Sequence, residues 1–203
     1  MFQELAPPLV LASASAARRR LLEAAGLTFA VCPAAVDEAE VKRSARAEGA
    51  RADDAARRLA ALKAERVAAR EPNAIVIGAD QILVCGASWF DKPEHRHAAR
   101  EQLRALRGKA HVLSTAVVCQ RSGQRLWQHV AQPRLVMREF SDAFLEAYLG
   151  AEGAAVTSSV GAYRLEGLGI HLFERIEGEH AAILGLPMLP LLGFLRRQGV
   201  LLG

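Results

Sequence analysis

The chain has 203 residues, 51% of them apolar and 24% charged, which excludes a disordered tail and gives a core that needs neither disulfides nor a structural metal. Its 26 basic and 22 acidic residues leave a net charge of +4, which a surface can spread, and aromatics at 5% are too sparse for a groove that stacks bases. No specific nucleic-acid partner is therefore expected.

Cys32, Cys85 and Cys119 lie far apart and form no CxxC pair, so neither a disulfide framework nor a zinc site is expected, and a reducing compartment is. The N-terminus carries Glu4, Pro7 and Pro8 where an export signal needs basic charge and an unbroken apolar run. Gly185, Pro187, Pro190 and Gly193 interrupt the most apolar late stretch, Ala181 to Leu195, which is too short to cross a bilayer. The expectation is a soluble, cytoplasmic protein with no membrane partner.

Leu9 to Ala12 is a short apolar run between prolines and small polar residues, the pattern of a buried strand. A helix capped by Ser15 and stopped by Gly26 follows, and Phe29 to Cys32 is the next strand. Asp37-Glu38-Ala39-Glu40 then reads as an acidic loop. Asp53 and Asp54 open a long Ala- and Arg-rich helix to about Arg70, with Pro72 and Asn73 as its stop. Ala74 to Gly78 is a β-branched run covered on both faces, and it delivers Asp80 at its C-terminal end. Ile82 to Cys85 continues or pairs with that run, Gly86 to Phe90 turns, and Pro93 starts a helix to about Leu106.

Further strands are expected at His111 to Cys119, Leu126 to Val130, Leu135 to Met137, Gly161 to Leu165 and Leu172 to Ile176, with helices near Asp142 to Leu149 and Leu186 to Gln198. Alternating element types predict an α/β fold, and hairpin-short connections predict a mixed sheet. No repeat, long linker or low-complexity tract is visible.

Gly108-Lys109 lacks the upstream glycine of a P-loop, and Gly167-Leu168-Gly169 lacks the third glycine of a dinucleotide fingerprint. Ser13-Ala14-Ser15-Ala16-Ala17-Arg18-Arg19-Arg20 nonetheless gathers hydroxyls, backbone N–H groups and guanidinium groups at one helix N-terminus, where an oxyanion is well held. A capped surface helix with solvated arginines stays open as the plainer reading. Asp80 follows an apolar strand, so its carboxylate should emerge partly desolvated at the sheet's edge, able to bind a metal or deprotonate a water. An Asx turn is the alternative. Asp37 or Glu38 could add a second hard oxygen ligand, Lys63 and Lys92 read by default as exposed charges, and His95 and His97 are two apart and would not face one ligand.

Ser13-Ala14-Ser15 with Arg18 and Arg19, Val36-Asp37-Glu38, Leu62-Lys63-Ala64, Ile77-Gly78-Ala79-Asp80-Gln81, Asp91-Lys92-Pro93, Leu106 to His111, Glu166-Gly167-Leu168-Gly169, and Glu174 to Gly178 through Gly185-Leu186-Pro187 together resemble the Maf family in order and spacing. The likeness covers nearly the whole chain. It implies a single domain over 1–203, with an elongated mixed sheet flanked by helices and two lobes around a central cleft. It also implies a metal-dependent nucleoside triphosphate pyrophosphatase, with Mg, Mn or Co as the divalent cation and a homodimer among its assemblies. The family's link to septum formation and cell-division arrest supplies the alternative of a regulatory protein with little catalysis.

Position by position, the resemblance makes Asp80 the catalytic proton acceptor and a metal ligand, Glu38 a metal-linked carboxylate, and Ser13, Arg18, Lys63 and Lys92 phosphate contacts. Gln81 and Glu166 would join them at the substrate. Members acting on thymidine and uridine triphosphates typically have Ser-Pro-Arg-Arg where this chain has Ser15-Ala16-Ala17-Arg18, Thr where it has Gln81, and Gln where it has Glu166. These departures resemble the subgroup acting on 7-methyl-GTP. Glu166 could accept hydrogen bonds from guanine and offset the positive charge of the methylated ring.

Overall fold

The computed structural model describes residues 2–4 and 6–202. In chain order the first elements are β1 (Leu9–Leu11), α1 (Ala16–Ala24), β2 (Ala30–Val31), α2 (Glu38–Ala47), α3 (Ala52–Ala68) and β3 (Ile75–Cys85). Next come β4 (Ser88–Phe90), α4 (Arg96–Leu106), β5 (Ala110–Arg121), β6 (Gln124–Ala131) and β7 (Arg134–Met137). The chain ends with α5 (Asp142–Glu152), β8 (Phe173–Glu177), α6 (His180–Ile183) and α7 (Met188–Arg197). Parallel and antiparallel pairings both occur, so the fold is α/β with a mixed sheet. No helix among the described residues is long and apolar enough to cross a membrane.

Two compact units share the chain: one runs up to Gln81, takes in Ser114–Ala131 and resumes from Glu179, and the other holds Ile82–Leu113 and Gln132–Gly178. In the first, β1 pairs in parallel with β2 and with β3, placing Leu11 opposite both Val31 and Ile77. β5 and β6 form an antiparallel hairpin there. Leu9, Leu11, Ile75 and Ile77 pack with Leu22 of α1 and with Leu191, Phe194 and Leu195 of α7 in one apolar core. At roughly 2 kcal/mol for each large aliphatic or aromatic side chain, that core is the main favourable contribution to this unit.

The Ala-rich sequence of α3 has a specific use. Its buried face runs through Ala52, Ala55, Ala56, Leu59, Ala60, Lys63, Ala64 and Val67, a three-and-four spacing of mostly small residues that brings the helix backbone close to the sheet. Gly78 is the point of contact: a Cβ there would lie 2.1 Å from the Ala60 carbonyl oxygen and 2.8 Å from the Ala64 nitrogen. Only glycine allows this approach. Of the two readings open for Ile82 to Cys85, continuation of the strand is the one found: β3 runs through Gly78 and Asp80 to Cys85, and the glycine marks a close packing contact rather than a turn.

Three elements differ from expectation. Asp37-Glu38-Ala39-Glu40 is the start of α2 rather than a loop: Asp37 caps it by accepting from the Glu40 amide, and the acids suit the positive end of the helix. Ser88–Phe90 is a strand, β4, paired antiparallel with the end of β3. Gly161 to Leu165 is not a strand, because Gly161 and Ala162 both have positive φ, at 78° and 60°, which breaks any extended run.

In the second unit β7 pairs antiparallel with β5 and β8, and His111 of β5 is 2% exposed beside Tyr163 and Phe173. Its Nε2 is 2.8 Å from the Tyr163 hydroxyl, and its Nδ1 is buried without a partner. Burial pushes this imidazole down to about 4, so the folded chain holds it neutral. Above about pH 6.5 it is neutral folded or unfolded, and between 6.5 and 4 only the unfolded chain takes up the proton, so stability falls as pH falls through that window. The loss amounts to roughly 3 kcal/mol. In His111→Gln the stability measured by urea unfolding should lose this part of its dependence between pH 6.5 and 4, and a variant with the wild-type slope would exclude His111 as its source.

Candidate active site

The carboxyl ends of parallel strands collect loop N–H groups and side chains from several elements, which is why ligands favour them. Here β1 ends at Leu11 and delivers Ser13, while β3 runs three residues past the Leu11–Ile77 pair to deliver Asp80. Asp80 therefore lies within its strand and is 4% exposed, and not at the sheet's outer edge as its sequence position suggested.

α3 supplies its partner. Lys63 reads in the sequence as a solvated charge, yet it sits on the buried face of α3 and is 6% exposed. Its Nζ is 2.6 Å from Asp80 Oδ1 and 2.6 Å from Glu38 Oε1, so one ammonium bridges two carboxylates. Glu38 stands on the first turn of α2 with its side chain 46% exposed. Burial alone would raise the Glu38 carboxyl, but the hydrogen bond and charge of Lys63, together with Lys42 and Arg18, hold it below the usual carboxylate range. Asp80 Oδ2 is buried and has no hydrogen-bond partner, an arrangement that leaves a hard anionic oxygen ready for a proton donor or a cation.

Arg18 completes the cluster from the third position of α1. It is buried, and its guanidinium donates from Nε to the Gly185 carbonyl at 2.8 Å and from Nη1 to the Ala79 carbonyl at 2.9 Å and Ser13 Oγ at 3.0 Å. Burial lowers its proton affinity while the Asp80 and Glu38 charges act against that. Ser13 Oγ also accepts from the Ser15 amide, and Ser15 caps α1. Arg18 thus holds the Gly185 segment against the residue before Asp80, so its role includes fastening the site together.

Gln81 follows Asp80 on the strand, and alternate residues point to opposite faces. Its amide nitrogen donates to Thr115 Oγ1 at 2.7 Å and to the Ala182 and Ile183 carbonyls, both at 3.1 Å. Thr115, whose hydroxyl also donates to Ala182, is a participant signalled only by a pair of polar residues, Ser114 and Thr115, within a mostly apolar strand. Ser13, Arg18, Glu38, Lys63 and Asp80 therefore converge in the first unit, with Gln81 bracing the 182–183 segment. Lys92 and Glu166 belong to the second unit, where both are exposed, Lys92 between β4 and α4 and Glu166 in a turn.

Two cations, Arg18 of α1 and Lys63 of α3, alternate with two carboxylates, Glu38 of α2 and Asp80 of β3, a charged cluster of the kind by which α/β proteins handle phosphate groups. The Maf-like protein family matches residues 8–198, and the chain belongs to it. A nucleoside triphosphate pyrophosphatase of Granulibacter bethesdensis is 57% identical over 95% of this chain and 98% of its own. One of the same name from Rhodospirillum rubrum is 53% identical over 98% of both chains. A 7-methyl-GTP pyrophosphatase of Rhizobium etli is 47% identical over 98% of this chain and all of its own.

Proposed function

We propose that the chain hydrolyses a nucleoside triphosphate between its α- and β-phosphates, giving the monophosphate and pyrophosphate. The observation that carries this reading is the Asp80 carboxylate, buried, held by Lys63 through Oδ1 and left with Oδ2 unpartnered. A base in that setting can take the proton of a water that attacks the α-phosphorus, as the bond to the bridging oxygen breaks and pyrophosphate leaves. Lys63 keeps Asp80 and Glu38 in register, and Arg18 adds positive charge for phosphate oxygens. The names of the relatives support catalysis over a purely regulatory role.

Asp80 Oδ2 and the Glu38 carboxylate fit a hard divalent cation, which when bound offsets phosphate charge and acidifies water. Among the described residues no three His, Cys, Asp or Glu side chains converge, and the two carboxylates are balanced by Lys63 and Arg18. The cation is therefore expected to arrive with the triphosphate, whose own oxygens complete its shell. Pyrophosphate release should require magnesium, manganese or cobalt, and undiminished turnover in excess chelator would overturn the metal requirement.

For the base, we read the chain as preferring 7-methyl-GTP or another modified purine to thymidine and uridine triphosphates, with Glu166 as the group that recognises the charged ring. The Rhizobium etli relative's name and the Gln81 and Glu166 departures support this. A pyrophosphate-release screen over standard and modified triphosphates tests it: faster turnover of thymidine triphosphate than of 7-methyl-GTP would reject the base assignment and leave Asp80 in place.

A further inference from the structure

The side chain of Asp80 does little to fix its own position. Lys63 Nζ holds Oδ1 from the end of a flexible stem, and Oδ2 is buried without a partner. A base must nevertheless stand within a fraction of an ångström of its water, so the backbone of β3 has to supply the precision.

That backbone is fastened to one segment on either side of Asp80. Before it, the Ala79 carbonyl accepts from Arg18 Nη1 at 2.9 Å, and the same guanidinium donates from Nε to the Gly185 carbonyl at 2.8 Å. Gly185 has a φ of 103°, and a Cβ there would lie 3.2 Å from Arg18 Nε, so a glycine lets the segment come this close. After Asp80, the Gln81 amide nitrogen donates to the Ala182 and Ile183 carbonyls and to Thr115 Oγ1. Residues 79 and 81 are thus both tied to the 182–185 segment, with Asp80 between the ties.

Thr115, buried on β5, is what aims Gln81. An amide nitrogen carries two hydrogens and three acceptors surround this one, so their arrangement sets where it sits. The Thr115 hydroxyl is the nearest of the three at 2.7 Å, and it passes its own hydrogen to the Ala182 carbonyl at 3.0 Å. That carbonyl also accepts from the Gly185 amide at 3.1 Å. Thr115, Gln81 and Ala182 therefore close a triangle of hydrogen bonds. Packing does not call for a hydroxyl here: valine has the same outline and suits a buried strand, as Val117 and Val118 of β5 do.

We propose that Thr115 is a positioning residue for the reaction, locking Gln81 to the 182–185 segment and so fixing where β3 presents the Asp80 carboxylate. This rests on Asp80 as the base. The test measures kcat and KM by pyrophosphate release from 7-methyl-GTP, thymidine triphosphate and uridine triphosphate with magnesium, well below the unfolding temperature of each variant.

In Thr115→Val a methyl group, which approaches nitrogen or oxygen no closer than roughly 3.3 Å, takes the place of the hydroxyl, so Gln81 and Ala182 must draw back. Because a 1 Å misplacement costs about a hundredfold, kcat should fall roughly tenfold on every triphosphate, with KM within about twofold of wild type. Thr115→Ser keeps the hydroxyl and loses only a buried methyl, so its unfolding temperature should drop while its kcat stays near wild type. Gln81→Met should slow turnover as Thr115→Val does, and it decides the matter if Thr115→Val fails to fold. The double variant should be no slower than the slower single one, because both break one latch.

Wild-type kcat in the folded variants, or a change confined to KM, overturns the latch and keeps Asp80 as the base. Thr115→Ser as slow as Thr115→Val also overturns it, since packing and not the hydroxyl would then be the cause. If Gln81→Met alters the ratio between triphosphates and Thr115→Val does not, Gln81 belongs at the base and the latch is again overturned. A wild type that releases no pyrophosphate from any of the three removes the proposed hydrolysis and the latch with it.

Discussion

Asp80→Asn is expected to fold as the wild type does and to lose roughly a hundredfold to ten-thousandfold in turnover, the range that removal of a general base produces. The fold should survive because the amide has the same shape, its oxygen can still accept from Lys63, and Lys63 keeps Glu38 as a charged partner. The activity should not, because an amide neither takes a proton from water nor presents an anionic oxygen where Oδ2 now lies. Turnover measured by pyrophosphate release, alongside thermal unfolding, separates the two effects. Near-wild-type turnover in a folded variant would remove Asp80 from the mechanism.

Lys63→Met should affect stability and turnover together. Methionine fills much the same space on the buried face of α3, but it leaves the Asp80 carboxylate, 4% exposed, with no hydrogen-bond donor on either oxygen. Removing one member of a buried pair costs about 3 kcal/mol or more, and Arg18 softens that only in part because its Nε and Nη1 donors are held by Gly185, Ala79 and Ser13. Glu38 adds little to the loss, since solvent screens its half-exposed side chain. Urea unfolding should show the destabilisation, and Lys63→Met/Asp80→Asn should recover most of it while remaining inactive. A double variant no more stable than Lys63→Met would show that the unpaired Asp80 charge is not its cause.

Much of the architecture is legible in the local pattern. The apolar runs at Leu9 and Ile75, the Ser15 cap and the Asp53-Asp54 opening of a long helix all appear as the residues suggest, because each depends on neighbours within a turn or two. Asp37 to Glu40 does not, since acids at a helix start and acids in a loop have the same composition, and only the Asp37 cap distinguishes them. The role of Gly78 is not legible locally for a different reason: it lies in Ala60, eighteen positions away.

The sequence by itself determined the α/β class and the residue types of the candidate site, because alternation of apolar runs and the chemistry of Asp, Lys and Arg are local properties. Tertiary structure alone decided which of those residues act together. Lys63 is an ordinary helix lysine until α3 lies against β3, and then it bridges Asp80 and Glu38 at 2.6 Å to each. Arg18 looks like the first of three solvated arginines, and only the return of the chain at Gly185 shows that it is buried. The physical reason is common to both: desolvation and pairing of a charge depend on what long-range packing brings within hydrogen-bond reach, and no local pattern records that.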